Sequence, residues 1–151
     1  MYLSKFRDRP EFLLLLTAAA VPLSFATWQA LLNNFAIERA AFSGAEMGIL
    51  QSLREVPGFL AFLVVFLLFL CREQTIAYVS LLLLGVGTLV TGWFPSVIGL
   101  YVTTVVMSPG FHYFETVHSS LFLQWVDKDK APDLVGRVIA VGAFTPSVAY
   151  G

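Results

Sequence analysis

The sequence predicts an all-α protein: a polytopic membrane helix bundle with four complete spans and the start of a fifth. Three observations carry that prediction. First, of 151 residues 58% are hydrophobic and only 13% charged, against roughly 25% charged in an ordinary soluble domain. The mean hydropathy of +0.79 says the same. Second, uncharged runs recur at the length of a bilayer crossing, which takes roughly 20 apolar residues at about 1.5 Å each. Third, the Lys and Arg residues are segregated into the connections on one side of those runs.

The first span covers about Phe12–Leu32, inside a stretch from Phe12 to Ile37 with no Asp, Glu, Lys or Arg. Lys5, Arg7 and Arg9 before it imitate a signal peptide, but the run outlasts the 7–15 residues of a cleavable apolar region and lacks a clear small-x-small site. It is therefore expected to be retained. The second span covers about Met47–Leu70, interrupted by Arg54 and Glu55. Gln74 to Phe114 is 41 residues without a formal charge, which as one helix would be about 60 Å long, twice the hydrocarbon core. It must turn back. Thr91-Gly92-Trp93-Phe94-Pro95-Ser96 supplies the break, with Gly and Pro against helix continuation and Trp and Phe suited to the headgroup interface. Spans three and four are thus about Gln74–Val90 and Val97–Leu123. The fifth begins near Val135 and is cut short at Gly151. Membrane strands are excluded, because they need only about 9–11 residues of alternating polarity.

With the N-terminus cytoplasmic, the inner side holds Lys5, Arg7, Arg9, Arg72, Lys128, Lys130 and Arg137, and the outer side holds only Arg39. That is the orientation expected of an inner or plasma membrane protein. A net charge of −1 leaves no basic patch for nucleic acid. One cysteine excludes an internal disulfide.

Ionisable side chains at membrane depth are expensive and tend to face a protein interior or a wet cavity. In the second span Gln51, Arg54 or Glu55, and Gly58 share one helical face. Adjacent Arg54 and Glu55 point about 100° apart, so each is expected to seek a partner on another span. The alternative is that both snorkel to the outer interface. Pro57-Gly58 should kink or thin the helix, with neighbouring groups recapturing the freed carbonyls. In the fourth span Ser108, His112, Glu115 and Ser119 form a polar stripe with His118 beside it. This cluster suits a proton relay, a polar substrate site, or hydrogen bonding that ties the bundle together. A metal site at His112, Glu115 and His118 is disfavoured, since the three spread over about 120° of the helix with no Cys or Asp to join them. In the first span Gln29 is the candidate for a cavity contact, with Trp28 read as an interfacial belt residue and Asn33 and Asn34 as helix-end chemistry. No nucleophile elbow, zinc-helix motif or phosphate loop is present, so an enzyme ranks third and no cofactor is expected.

Ser43-Gly44-Ala45-Glu46-Met47-Gly48 before the second span, Arg72 in a tight inner turn, and Asp133-x-x-Gly136-Arg137 before the fifth resemble the N-terminal part of a major facilitator superfamily transporter. The resemblance covers nearly the whole chain. Its inner turn departs from the family's Gly-x-x-x-Asp-Arg-x-Gly-Arg-Arg pattern: Leu70-Cys71-Arg72-Glu73-Gln74 lacks the glycines, the Asp and the double Arg, with Glu73 replacing part of the pattern or the chain being a divergent branch. The resemblance implies twelve or more spans built from inverted three-span repeats, with a substrate site near the midplane, so five spans read as a fragment or an incomplete gene. It also implies a secondary transporter that moves a small molecule by alternating access. Gln29, Gln51, Arg54, Glu55, His112, Glu115 and His118 are the expected substrate or proton pathway, and Arg72, Glu73 and Arg137 the gating or inner-loop residues. The competing reading is a membrane-embedded subunit or scaffold that transports nothing.

Overall fold

The computed structural model describes residues 10–150, and in them the regular secondary structure is entirely helical. In hydrocarbon a backbone has no water to pair with, so it must satisfy its N–H and C=O groups within each segment, as a helix does. The helices are α1 (Pro10–Ala40), α2 (Gly44–Phe59), α3 (Val64–Leu68), α4 (Glu73–Thr91), α5 (Val97–Trp125) and α6 (Ala131–Tyr150), with a 3-10 turn at Leu60–Leu63 between α2 and α3. Among the described residues four stretches are long and apolar enough to cross a membrane: Phe12–Ala40, Gly44–Leu68, Glu73–Thr91 and Val97–Trp125. The chain is a multi-pass membrane protein. Lys5, Arg7 and Arg9, part of the basis for the expected orientation, lie outside the described residues.

Two boundaries differ from the sequence reading. Helix α1 runs on to Ala40 rather than ending near Leu32, so Asn33 and Asn34 are mid-helix surface residues and not end caps. It stops where Ala41 takes a left-handed conformation, φ 53°, and the Phe42 N–H turns back to the Ala36 carbonyl at 3.1 Å. The second span is not one helix but α2, a 3-10 turn and α3. Pro57 removes a helical donor there and Gly58 has no side chain to support the turn.

The ends that the sequence did locate are explained by local chemistry. Ser43 and Glu46 make a reciprocal capping box: Ser43 Oγ accepts from the Glu46 N–H at 3.3 Å, and Glu46 Oε2 accepts from the Ser43 N–H at 2.7 Å. The Ser-x-x-Glu element that resembles a family motif thus has a direct physical role in starting α2. At the α4–α5 turn the Ser96 hydroxyl accepts from the Gly99 N–H at 3.1 Å, capping α5 immediately after Pro95. Glu73 lies in the first turn of α4, where a carboxylate complements the helix dipole.

Of the described residues, 10–30 with 119–150 form one compact unit, and Leu31–His118 form another. In the first unit a Cβ added at Gly142 of α6 would lie 3.6 Å from the Ala18 carbonyl of α1, the carbonyl that Pro22 deprives of its helical donor. In the second unit α5 packs between α2 and α4. On the α4 side, Gly87 meets the Met107 backbone and Gly110 meets the backbone of Ser80 and Leu84. On the α2 side, the Tyr101 hydroxyl donates to the Glu46 carbonyl at 3.1 Å and Phe42 meets Tyr101 edge to face at 5.8 Å. Leu50, Leu100, Met107, Val64, Thr104 and Ser108 are among the fully buried side chains. The outer faces are apolar instead: Phe59, Phe69, Leu70 and Leu82 are exposed, as lipid-facing residues should be.

Thr104 is completely buried and its hydroxyl has no hydrogen-bond partner. A buried, unpaired hydroxyl costs about 1–3 kcal/mol in desolvation. Thr104→Val keeps the shape and removes the polar atom, so its expected effect is a higher melting temperature in detergent. A lower one would show that the hydroxyl has a partner in the bilayer.

Candidate functional site

The second unit brings three of the expected ionisable residues together. Arg54 sits ten residues beyond Gly44, about 15 Å along the Gly44–Leu68 stretch that is long and apolar enough to cross a membrane. Its Nε and Nη2 both donate to one oxygen, Glu55 Oε1, at 2.9 and 2.6 Å. This corrects the expectation that the two residues are poorly placed to pair. Adjacent Cα–Cβ vectors do diverge, but both side chains are long enough to bend back over the helix surface. The other carboxylate oxygen, Glu55 Oε2, lies 3.9 Å from His112 Nε2 of α5. The partners differ in exposure, with 18% of the Arg54 side chain accessible against 59% for Glu55.

Two close approaches set that geometry. Pro57 has no N–H for the Leu53 carbonyl, and at the adjoining carbonyl of Arg54 the buried Ser108 hydroxyl of α5 donates a hydrogen bond. The neighbouring span thus supports the backbone beside the proline, as expected of a broken membrane helix. One turn further, Gly58 faces the His112 ring, and a Cβ built at Gly58 would come within 2.7 Å of His112 Cε1. Phe111 meets the imidazole edge to face, with centroids 5.3 Å apart. Gly58 therefore makes the space in which His112 reaches toward Glu55.

Gln51 is half-buried one turn before Arg54 on α2. Glu115 is exposed, and half-buried His118 stacks against Phe114 at 5.4 Å. The polar stripe of α5 thus winds from the core at Ser108 to the surface at Glu115. Among the described residues no three His, Cys, Asp or Glu side chains gather as a metal would require. In the first unit Gln29 is half-buried and Trp28 is buried against Phe25 at 5.9 Å, so Trp28 is a packing residue and not a belt residue. Arg72 and Glu73 stand at the α3–α4 turn beside the exposed Cys71. Arg137 pairs with Asp133 at 2.9 Å on the exposed first turns of α6.

Comparison with known proteins finds no family model, curated protein or solved structure that this chain matches. The site must be read from its own chemistry. Elsewhere in the second unit an apolar cavity of about 340 Å³ lies between α4 and α5, lined by Val86, Val90, Phe94, Val102 and Val106 among others. It has only the Thr103 side chain to orient a polar ligand, and that hydroxyl already donates to the Gly99 carbonyl at 3.0 Å. Specific small-molecule sites need a few placed polar groups. The Arg54, Glu55 and His112 cluster has them, with a cation, an anion and an imidazole within reach of one another.

Proposed function

We propose that this chain belongs to a secondary transporter of the inner or plasma membrane, with its N-terminus cytoplasmic, that moves a small molecule by alternating access. The observation that carries the reading is a charged cluster half-way along a spanning helix, beside a break in that same helix. An ion pair at that depth is costly unless it serves a ligand or an aqueous path. The Pro57–Gly58 break and the 3-10 turn after it give α2 a place to bend, as the discontinuous helices of transporters do. The likeness of the Ser43–Gly48, Arg72 and Asp133–Arg137 elements to the major facilitator superfamily points the same way. Proton coupling through Glu115 and a histidine is part of this reading.

The test is uptake of labelled amino acids, organic acids and sugars into proteoliposomes containing the full protein. At least one solute should enter faster than into protein-free liposomes, and Arg54→Ala should slow it at least about tenfold. Glu115→Gln should remove the response to a pH gradient. A folded protein that moves none of these solutes would favour the scaffold reading. That second reading has its own support, because the Ser108 hydroxyl and the bare backbone of Gly110 hold α5 to its neighbours.

Orientation has a separate check that needs no substitution. Cys71, the single cysteine, is exposed at the α3–α4 turn. With a cytoplasmic N-terminus this turn faces inward, so a membrane-impermeant maleimide should label it in inverted vesicles and leave it unlabelled in intact cells. The opposite pattern would reverse the topology.

A further inference from the structure

We infer that the apolar hollow between α4 and α5 seats one acyl chain of a membrane lipid. It lies on the α4 side of α5, whereas Arg54 and Glu55 stand on α2. The seat does not depend on what the protein transports.

On their buried side the two helices touch, since Gly87 has no side chain and the Met107 Cα lies 2.9 Å from where its Cβ would stand. Beside that contact the facing side chains are short. Val86 and Val90 share one face of α4 at a spacing of four, as Val102 and Val106 do on α5. A β-branched side chain keeps essentially one rotamer on a helix. The valines therefore do not swing across the gap, and a hollow of about 340 Å³ stays open between them. Val86, Val102 and Val106 are between 44% and 57% exposed, on helices long and apolar enough to cross a membrane. The mouth of the hollow is thus continuous with the lipid-facing surface of Leu82, Leu89 and Ile98.

The walls select the occupant. Apart from Thr103 the lining is apolar, and the Thr103 hydroxyl already donates within its own helix, to the Gly99 carbonyl at 3.0 Å and the Leu100 carbonyl at 3.2 Å. A buried water needs about 2–4 polar partners, so water is poorly held there. An empty gap would forfeit the dispersion contacts of its lining. Along α5 the wall runs from Gly99 to Val106, about 10 Å, so the hollow averages about 30 Å² in cross-section. That is too narrow for a helix about 10–12 Å across, and wide enough for one hydrocarbon chain. A chain from one leaflet, half of the roughly 30 Å hydrocarbon core, is long enough to fill it. Trp93 and Phe94, exposed at the Gly92–Ser96 turn, suit its headgroup end.

Photolabelling of the full protein in phosphatidylcholine vesicles decides the matter. The probe is a phosphatidylcholine with a diazirine midway along one acyl chain, and peptide mass spectrometry places its adducts. Adducts on Val86, Val90, Val102 and Val106 should exceed those on the more exposed Leu82, Leu89 and Ile98 at least about fivefold, a preference of about 1 kcal/mol. Val102→Phe and Val106→Phe each fill the hollow from its mouth and should abolish that excess. Adducts on Leu82 and Leu89 should persist in both variants, as the sign of a folded, embedded protein. Equal labelling of the two sets would leave only ordinary bilayer contact and overturn the inference. So would protection of the four valines, the mark of a protein segment lying over them, or an excess that survives both substitutions.

Discussion

Replacing Gly110 with alanine is expected to destabilise the protein by about 1–3 kcal/mol, the usual range for forcing extra carbon into a packed core. The added methyl would sit 2.5 Å from the Leu84 nitrogen and 2.6 Å from the Ser80 carbonyl oxygen. Those are backbone atoms of α4, so no rotamer change relieves the clash and the helices must separate. In a bilayer, close packing of small residues is a main source of helix association, and moving α4 away also disturbs Gly87 against Met107. The measurement is melting temperature in detergent. Gly58→Ala is its contrast, because the atoms it meets belong to the His112 ring, which can swing aside. That variant should fold nearly as well and lose ligand recognition. Equal stability losses at both positions would mean that His112 is fixed as firmly as backbone, and no loss at Gly110 would refute the close α4–α5 approach.

The second large effect concerns the ion pair. Arg54→Gln leaves Glu55 without its guanidinium, and Glu55→Gln leaves a guanidinium at membrane depth without its carboxylate. Breaking a buried pair from one side costs about 3–5 kcal/mol. The 59% exposure of Glu55 reduces that toward the small values of surface pairs wherever water reaches it. The double substitution to Gln at both positions removes both charges and should recover most of the lost stability while abolishing ligand binding. A double-mutant cycle on melting temperature and reconstituted uptake separates the two effects. If both single variants are as stable as the unaltered protein, the pair is a snorkelling surface pair and the site loses its basis.

The sequence alone exposed the membrane class, the four stretches among the described residues that can cross a membrane, and most of their ends. These are local matters. The turn at Gly92–Ser96 and the start of α2 at Ser43 depend on residues within a few positions of each other, and the caps observed there use those residues. The end of α1 was misplaced because Asn33 and Asn34 look like terminating residues, although nothing in the next turn stops a helix until Ala41. Trp28 was misread because an aromatic near a span end suits both an interface and a core. Only its burial separates the two.

Which residues form the site was a different kind of question. Arg54, Glu55 and His112 could be named as costly, but their partners could not, and the pairing of Arg54 with Glu55 contradicted helical geometry taken alone. In water an apolar stripe tells which face of a helix turns inward. A helix bathed in lipid is apolar all round, so its pattern carries no such mark, and neighbours are chosen by fit. The sequence by itself determined that this chain lives in a membrane, where it turns, and which side chains are out of place there. Only the packing of α5 against α2 and α4 decided that Gly58 makes room for His112, that Ser108 supports the backbone beside Pro57, and that one carboxylate stands between a guanidinium and an imidazole.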